Sequence, residues 1–140
     1  MKISAKLDYA LRLLVKLAES PEKVIHTSEI ANEEKVSLKF LQTIVKELKD
    51  REIIDTFFGP HGGITLARPP SEIRFLDIYE SFHNDLRVVE PCVEFSDCSH
   101  LQACGIQKIL QQGQIKMRDY FNTITLMDIK NKQWSLIADK

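Results

Sequence analysis

Apolar side chains recur at helical spacing from the start of the chain. Leu7, Ala10 with Leu11, Leu14, and Leu17 with Ala18 share one face of a helix predicted over residues 4–19. Ser20-Pro21 ends it. Thr27 is a candidate N-cap for a short helix over residues 28–33, and Ser37 for a longer one reaching about Asp50. In the longer helix Leu41, Ile44 with Val45, and Leu48 form an apolar stripe, and Lys39, Gln42, Thr43 and Lys46 lie opposite. Two β-prone runs, 53–58 and 64–66, flank Gly59-Pro60-His61-Gly62-Gly63 and predict a hairpin. Arg68-Pro69-Pro70 breaks the pattern. Ser71 is then expected to cap a helix with Ile73, Leu76/Asp77 and Tyr79/Glu80 in its turns. Residues 84–103 read as irregular. A long helix follows from about Cys104 to about Asn122, with Ile106, Ile109/Leu110, Gly113, Met117 and Tyr120/Phe121 as its stripe. Thr125 is the candidate cap of a last short helix.

Helix, tight turn, longer helix and Gly-rich hairpin is the order of a winged helix-turn-helix. The expected fold class is mainly α with a small β-hairpin, plus a long C-terminal helix. The expected divisions are 1–70 for the winged helix-turn-helix, 71–103 for a connecting helix and cysteine-bearing loop, and 104–140 for the long helix and tail.

The polar face of the helix after Ser37 suits a major groove. Lysine and glutamine hydrogen-bond base edges or phosphates, and threonine offers a hydroxyl and a methyl. The Ser37 end adds free backbone N–H groups that favour phosphate. Lys35, Lys49 and Arg51 are candidates for flanking phosphates. A lysine-bearing wet face is common on any surface helix, so the order of elements carries the reading. Winged helices also serve as protein-interaction modules. At the hairpin tip His61 is a candidate weak phosphate contact.

Composition changes this picture in two ways. The net charge of −1 over 140 residues excludes a generally basic nucleic-acid binder, so cations must act locally. All three cysteines, Cys92, Cys98 and Cys104, fall in one Cys-x5-Cys-x5-Cys segment. An odd set of thiols cannot all pair within one chain, whereas three thiolates can hold an iron–sulfur cluster or soft metal with a fourth ligand from elsewhere. Candidates for that position are Asp8, His83, His100 or a group from a partner subunit. Structural zinc favours a tighter Cys-x2-Cys pair. Nearby Glu90, Glu94 and Asp97 disfavour a reactive thiolate, because negative charge raises thiol pKa. The polar N-terminus lacks a signal-peptide core and no apolar run reaches ~20 residues, which predicts a cytoplasmic protein. No phosphate-binding Gly motif, HExxH pair or nucleophile–base set is present, which argues against an enzyme.

Taken together, the chain resembles the small winged-helix iron–sulfur transcriptional regulators that include IscR and the nitric-oxide-sensing NsrR. The resemblance runs over about residues 1–130. It rests on Met1-Lys2-Ile3-Ser4, Asp8-Tyr9-Ala10-Leu11-Arg12, Gly59-Pro60-His61-Gly62-Gly63, Arg68-Pro69-Pro70-Ser71-Glu72-Ile73, the three cysteines, and Thr123-Ile124-Thr125-Leu126-Met127-Asp128-Ile129. It implies a homodimer built on the long helix, bound to a pseudo-palindromic site on double-stranded DNA. It implies that Cys92, Cys98 and Cys104 hold the cluster. The IscR-like branch has a histidine three positions after the third cysteine, where this chain has Gln107. The NsrR-like branch uses an aspartate on the first helix, donated across the dimer, and Asp8 matches it. That favours 4Fe–4S, with 2Fe–2S the other possibility. The wing also departs from the family: Phe58 stands where an arginine is common.

The expected function is therefore a cluster-dependent transcriptional regulator sensing nitric oxide, redox or iron status. The alternatives are a zinc- or thiol-based regulator on the same scaffold, or a protein-interaction module.

Overall fold

The computed structural model describes residues 3–83, 86 and 104–138. Cys92, Cys98 and His100 lie outside the described residues, as does most of the segment expected to be irregular. The element order is α1 (Ala5–Glu19), α2 (Thr27–Glu33), α3 (Leu38–Asp50), β1 (Ile54–Phe57), β2 (Gly63–Leu66), α4 (Phe75–Phe82), α5 (Gly105–Thr123) and α6 (Leu126–Ala138). The fold is mainly helical with one antiparallel hairpin, as the periodicity predicts.

Local chemistry sets the first three helices. The Ser4 and Ser37 hydroxyls accept from the Leu7 and Phe40 amides and cap α1 and α3. The cap of α2 is His26, one residue before the expected Thr27, and it makes no side-chain cap bond. Apolar positions in helical register (Leu7, Leu14 and Leu17 of α1; Leu41, Ile44 and Leu48 of α3) are fully buried together with Ile30 of α2. Each such side chain contributes about 1.5–3 kcal/mol of burial. The hairpin pairs Ile54 with Leu66 and Phe57 with Gly63. An isolated bridge between Ile25 and Ile64 ties β2 to the α1–α2 connection.

Two turns were not legible as such. After α2, the Val36 amide donates to Ala31 and the Lys35 amide to Asn32, with Lys35 at φ 54°. After α3, the Ile53 amide donates to Leu48 and the Glu52 amide to Lys49, with Glu52 at φ 55°. Both are Schellman closures, which usually place glycine at the left-handed residue. The buried Ile53 against Leu48 supplies the apolar contact that goes with the motif.

The C-terminal half corrects the sequence reading. Ser71 does not cap α4. That helix begins at Phe75 behind Arg74, whose amide donates to Asp77 Oδ2. Residues 73–75 are held extended by the 124–126 segment: Phe75 donates to the Ile124 carbonyl and Leu126 to that of Ile73, both at 2.8 Å. Thr125 caps α6 as expected, its hydroxyl accepting from the Asp128 amide while Asp128 accepts from the Thr125 amide. The last helix is 13 residues long rather than short. Leu126 is buried, and α6 packs against α1.

Long helix α5 has no buried residue. It packs on α4 through its C-terminal half, where Phe121 meets Phe75 at 4.7 Å between ring centres and Arg118 pairs with Glu80 at 2.8 Å. Met117 and Phe121 of the expected stripe rest on the core of their own chain. Ile106, Ile109, Leu110 and Tyr120 remain exposed, as does Ile115 outside that stripe.

Candidate nucleic-acid interface and cysteine site

Helix α3 turns Leu41, Ile44 and Leu48 into the core and leaves Lys39, Gln42, Thr43 and Lys46 exposed, with Ser37 exposed at its head. The Thr43 hydroxyl donates to the Lys39 carbonyl at 3.1 Å, so its methyl is the more available contact. A cleft of about 420 Å³ separates α3 from the hairpin. Gln42, Lys46 and Lys49 line one wall, Thr56, Phe57 and Phe58 the other, and His26 and Thr27 also border it. The structure thus brings Gln42 and Lys46 together with the wing. Ser37, Lys39, Thr43 and His61 lie outside the cleft, His61 exposed on the wing tip. Nothing in the sequence pattern groups Lys49 with Phe58, yet the Lys49 ammonium sits 5.8 Å from that ring's centre. Arg51 is directed elsewhere: its guanidinium donates to the Glu80 carbonyl at 3.0 Å, tying α3 to the end of α4.

The first helix lays a charged ridge against α2. Arg12 donates to Asp8 Oδ2 at 3.2 Å through Nε and reaches Glu34 at 3.3 Å through Nη1. These acceptors, Asp8 first, raise the Arg12 pKa above its ordinary value. One turn on, Lys16 pairs with Glu33 and, at 3.8 Å, with Glu29. Asp8, the candidate fourth ligand, is half-exposed in the first turn of α1 and both its bonds to Arg12 go to Oδ2. A carboxylate there also complements the helix dipole.

Cys104 is a free, half-buried thiol at the N-cap of α5, with no side-chain cap bond. His83 is occupied otherwise: its Nε2 lies 3.4 Å from Ser4 Oγ and its ring stacks on Tyr79 at 4.6 Å. Gln107, at the IscR-like ligand position, is half-buried on α5. Among the described residues no three His, Cys, Asp or Glu side chains converge as a metal site. Two of the three cysteines lie outside that set. The donor chemistry fits a cluster: three thiolates in one segment, and a carboxylate accessible on α1.

The sequence pattern of the Rrf2 family, described as an iron-dependent transcriptional regulator, matches residues 3–132. This chain belongs to the Rrf2 family. Rrf2 proteins are DNA-binding transcriptional regulators, not enzymes. The HTH-type transcriptional regulator NsrR of Oceanobacillus iheyensis is 28% identical over 141 residues, covering 99% of this chain and 95% of that protein. Two solved structures share the fold. CymR, the global cysteine regulator of B. subtilis, superposes with a TM-score of 0.79 at 22% identity, covering 94% of this chain and 98% of that one. IscR of T. potens superposes with a TM-score of 0.72 at 20% identity, covering 95% and 88%. The winged-helix expectation and the Rrf2 assignment therefore agree. No helix among the described residues is long and apolar enough to cross a membrane.

Proposed function

We propose that this Rrf2 protein is a homodimeric, cytoplasmic regulator whose grip on DNA depends on an iron–sulfur cluster held by Cys92, Cys98, Cys104 and Asp8. The donor set carries the reading: three clustered thiolates, no histidine at Gln107, and an accessible Asp8 carboxylate on α1. Residues 1–70 would read DNA, 71–103 present the cysteines, and 104–140 join two copies. Lys39, Gln42, Thr43 and Lys46 would contact the major groove, with Ser37 and His61 at phosphates. Two heads related by a dimer axis suit a pseudo-palindromic site. The exposed apolar face of α5 supports that axis, since apolar patches of this kind mark association surfaces.

When bound, the cluster supplies a group that nitric oxide, oxygen or iron limitation can alter. The chain's own contribution is the Asp8–Arg12–Glu34 relay. Glu34 caps the end of α2, so Arg12 connects the ligand position on α1 to the helix-turn-helix. Drawing Asp8 away leaves Arg12 with Glu34 and the Tyr9 ring and changes how α1 holds the reading head. Coupling of this kind requires two states that differ in DNA affinity.

A thiol-responsive reading is favoured by one observation, the fold shared with CymR, the global cysteine regulator of B. subtilis. Anaerobic purification with visible spectroscopy and iron, sulfide and zinc analysis separates the two. Brown protein with stoichiometric iron and sulfide, bleached by nitric oxide or oxygen, is the expected result. Colourless protein that resists reconstitution with iron and sulfide would overturn the cluster reading. In a second step Asp8→Ala should fold normally and alter the cluster's spectrum or lifetime. A wild-type spectrum in that variant would remove Asp8 from the ligand set.

A further inference from the structure

The wing exposes an aromatic edge that the cluster chemistry leaves unexplained. Phe58 is 91% exposed and Phe57 51% exposed. The hairpin from Asp55 to Leu66 contains no lysine or arginine, and its one basic candidate is His61. The cations stand across the cleft instead: Lys46 and Lys49 of α3, with the Lys49 ammonium 5.8 Å from the Phe58 ring centre.

The backbone beneath this edge is held in place. Gly59 takes φ +97°, and the Gly62 amide donates to the Gly59 carbonyl at 3.0 Å. A Cβ on Gly62 would lie 2.4 Å from the Phe57 carbonyl oxygen, and one on Gly63 2.4 Å from that of Ile25. The Ile25–Ile64 bridge, with bonds of 3.0 and 2.9 Å, anchors the hairpin to the α1–α2 connection. A turn held this way adds little backbone ordering cost when the ring binds.

We propose that Phe58 is an apolar wedge for the DNA minor groove and a determinant of sequence preference. The inference rests on the DNA-binding reading of α3. One sugar–phosphate strand separates a major groove from the adjoining minor groove, so a helix in the first brings the hairpin across the cleft to the second. An aromatic ring backed by lysines matches a polymer with an anionic rail and an interior of sugar C–H groups and base edges. Apolar side chains in minor grooves act by packing on sugars and partly unstacking base steps. This contact carries no charge, so it reads groove width and step flexibility rather than phosphate.

The test begins with a duplex that the wild-type protein selects from a randomised pool. Phe58→Ala should bind that duplex about tenfold more weakly, while its slope of affinity against salt stays at the wild-type value. Phe58→Tyr should restore most of the affinity. Phe58→Arg should steepen the slope by about one phosphate contact. Replacing G·C by inosine·C beneath the wing removes the guanine amino group from the minor groove alone. The replacement should strengthen binding by the wild type and not by Phe58→Ala. Thermal unfolding of each variant should match the wild type, because the ring is exposed. Equal affinity of Phe58→Ala and wild type, or an inosine effect shared by both, overturns the inference and leaves the aromatic edge to a protein partner. A flattened salt slope in Phe58→Ala also overturns it, since the ring would then act only through Lys49. A pool that yields no duplex overturns the DNA-binding reading as well, which separates the two failures.

Discussion

Replacing Ile109 by Ala in α5 separates the stability of one chain from the association of two. The side chain is 69% exposed and touches no core cluster, so the single chain loses almost nothing. The substitution even favours the helix, because alanine has the higher propensity. In a dimer built on α5 the same position becomes buried. The change removes three carbons, each worth about 0.8 kcal/mol when fully buried. About two-thirds of that area is still to be buried by association, which gives about 1.6 kcal/mol per chain and about 3 kcal/mol for a symmetric pair. The dimer Kd should weaken by about a hundredfold. Sedimentation equilibrium over a concentration series measures it directly. Met117→Ala is the contrasting variant, because Met117 packs on its own chain's core and its loss should lower the unfolding midpoint. A wild-type Kd for Ile109→Ala, or a wild-type chain that stays monomeric at tens of micromolar, would refute the assignment of this face to self-association.

Glu52→Gly should stabilise the protein. Glu52 holds φ 55° at the end of α3, where an L-residue costs about 1–2 kcal/mol; after the added entropy of glycine in the unfolded chain, a gain of about 0.5–1 kcal/mol remains. Urea titration reads it as a higher midpoint at constant slope, and a loss of stability would contradict the geometry. Asp128→Asn should flatten the acid limb of stability. The Asp128 carboxylate is held below its ordinary pKa, first by the Thr125 hydroxyl and then by the Thr125 amide. A lowered folded pKa gives stability that is present above the unfolded value of about 3.9 and lost as pH falls through the folded one. Wild type and variant should therefore converge as pH falls through the lowered folded-state value and differ most near neutrality. Parallel stability curves across the whole range would show that the Thr125–Asp128 bonds contribute nothing.

The helical periodicity and the Ser37 and Thr125 caps are decided by neighbours a few positions apart, and these the sequence determined alone. The stripe of α3 behind its Ser37 cap, the Gly-rich hairpin, the stop at Ser20-Pro21 and the thiol spacing followed from local pattern alone. So did the winged-helix architecture, because helix, turn, helix and hairpin leave few ways to bury their apolar faces together. What only the tertiary structure decided depends on residues far apart in the chain. Helix α4 starts at Phe75 because the Ile124 carbonyl takes its amide, against the local preference of Ser71. Lys35 and Glu52 adopt left-handed turns without glycine because the closures seat Val36 and Ile53 against the core. The single apolar stripe of α5 divides into Met117 and Phe121, which its own chain covers, and Ile106 and Ile109, which it does not. Arg12 and Arg51 are ordinary surface cations in sequence. Packing turns one into a bridge from Asp8 to Glu34 and the other toward the Glu80 carbonyl, away from any role at the cleft. Long-range hydrogen bonds and ion pairs depend on which elements meet, and only the folded chain fixes that.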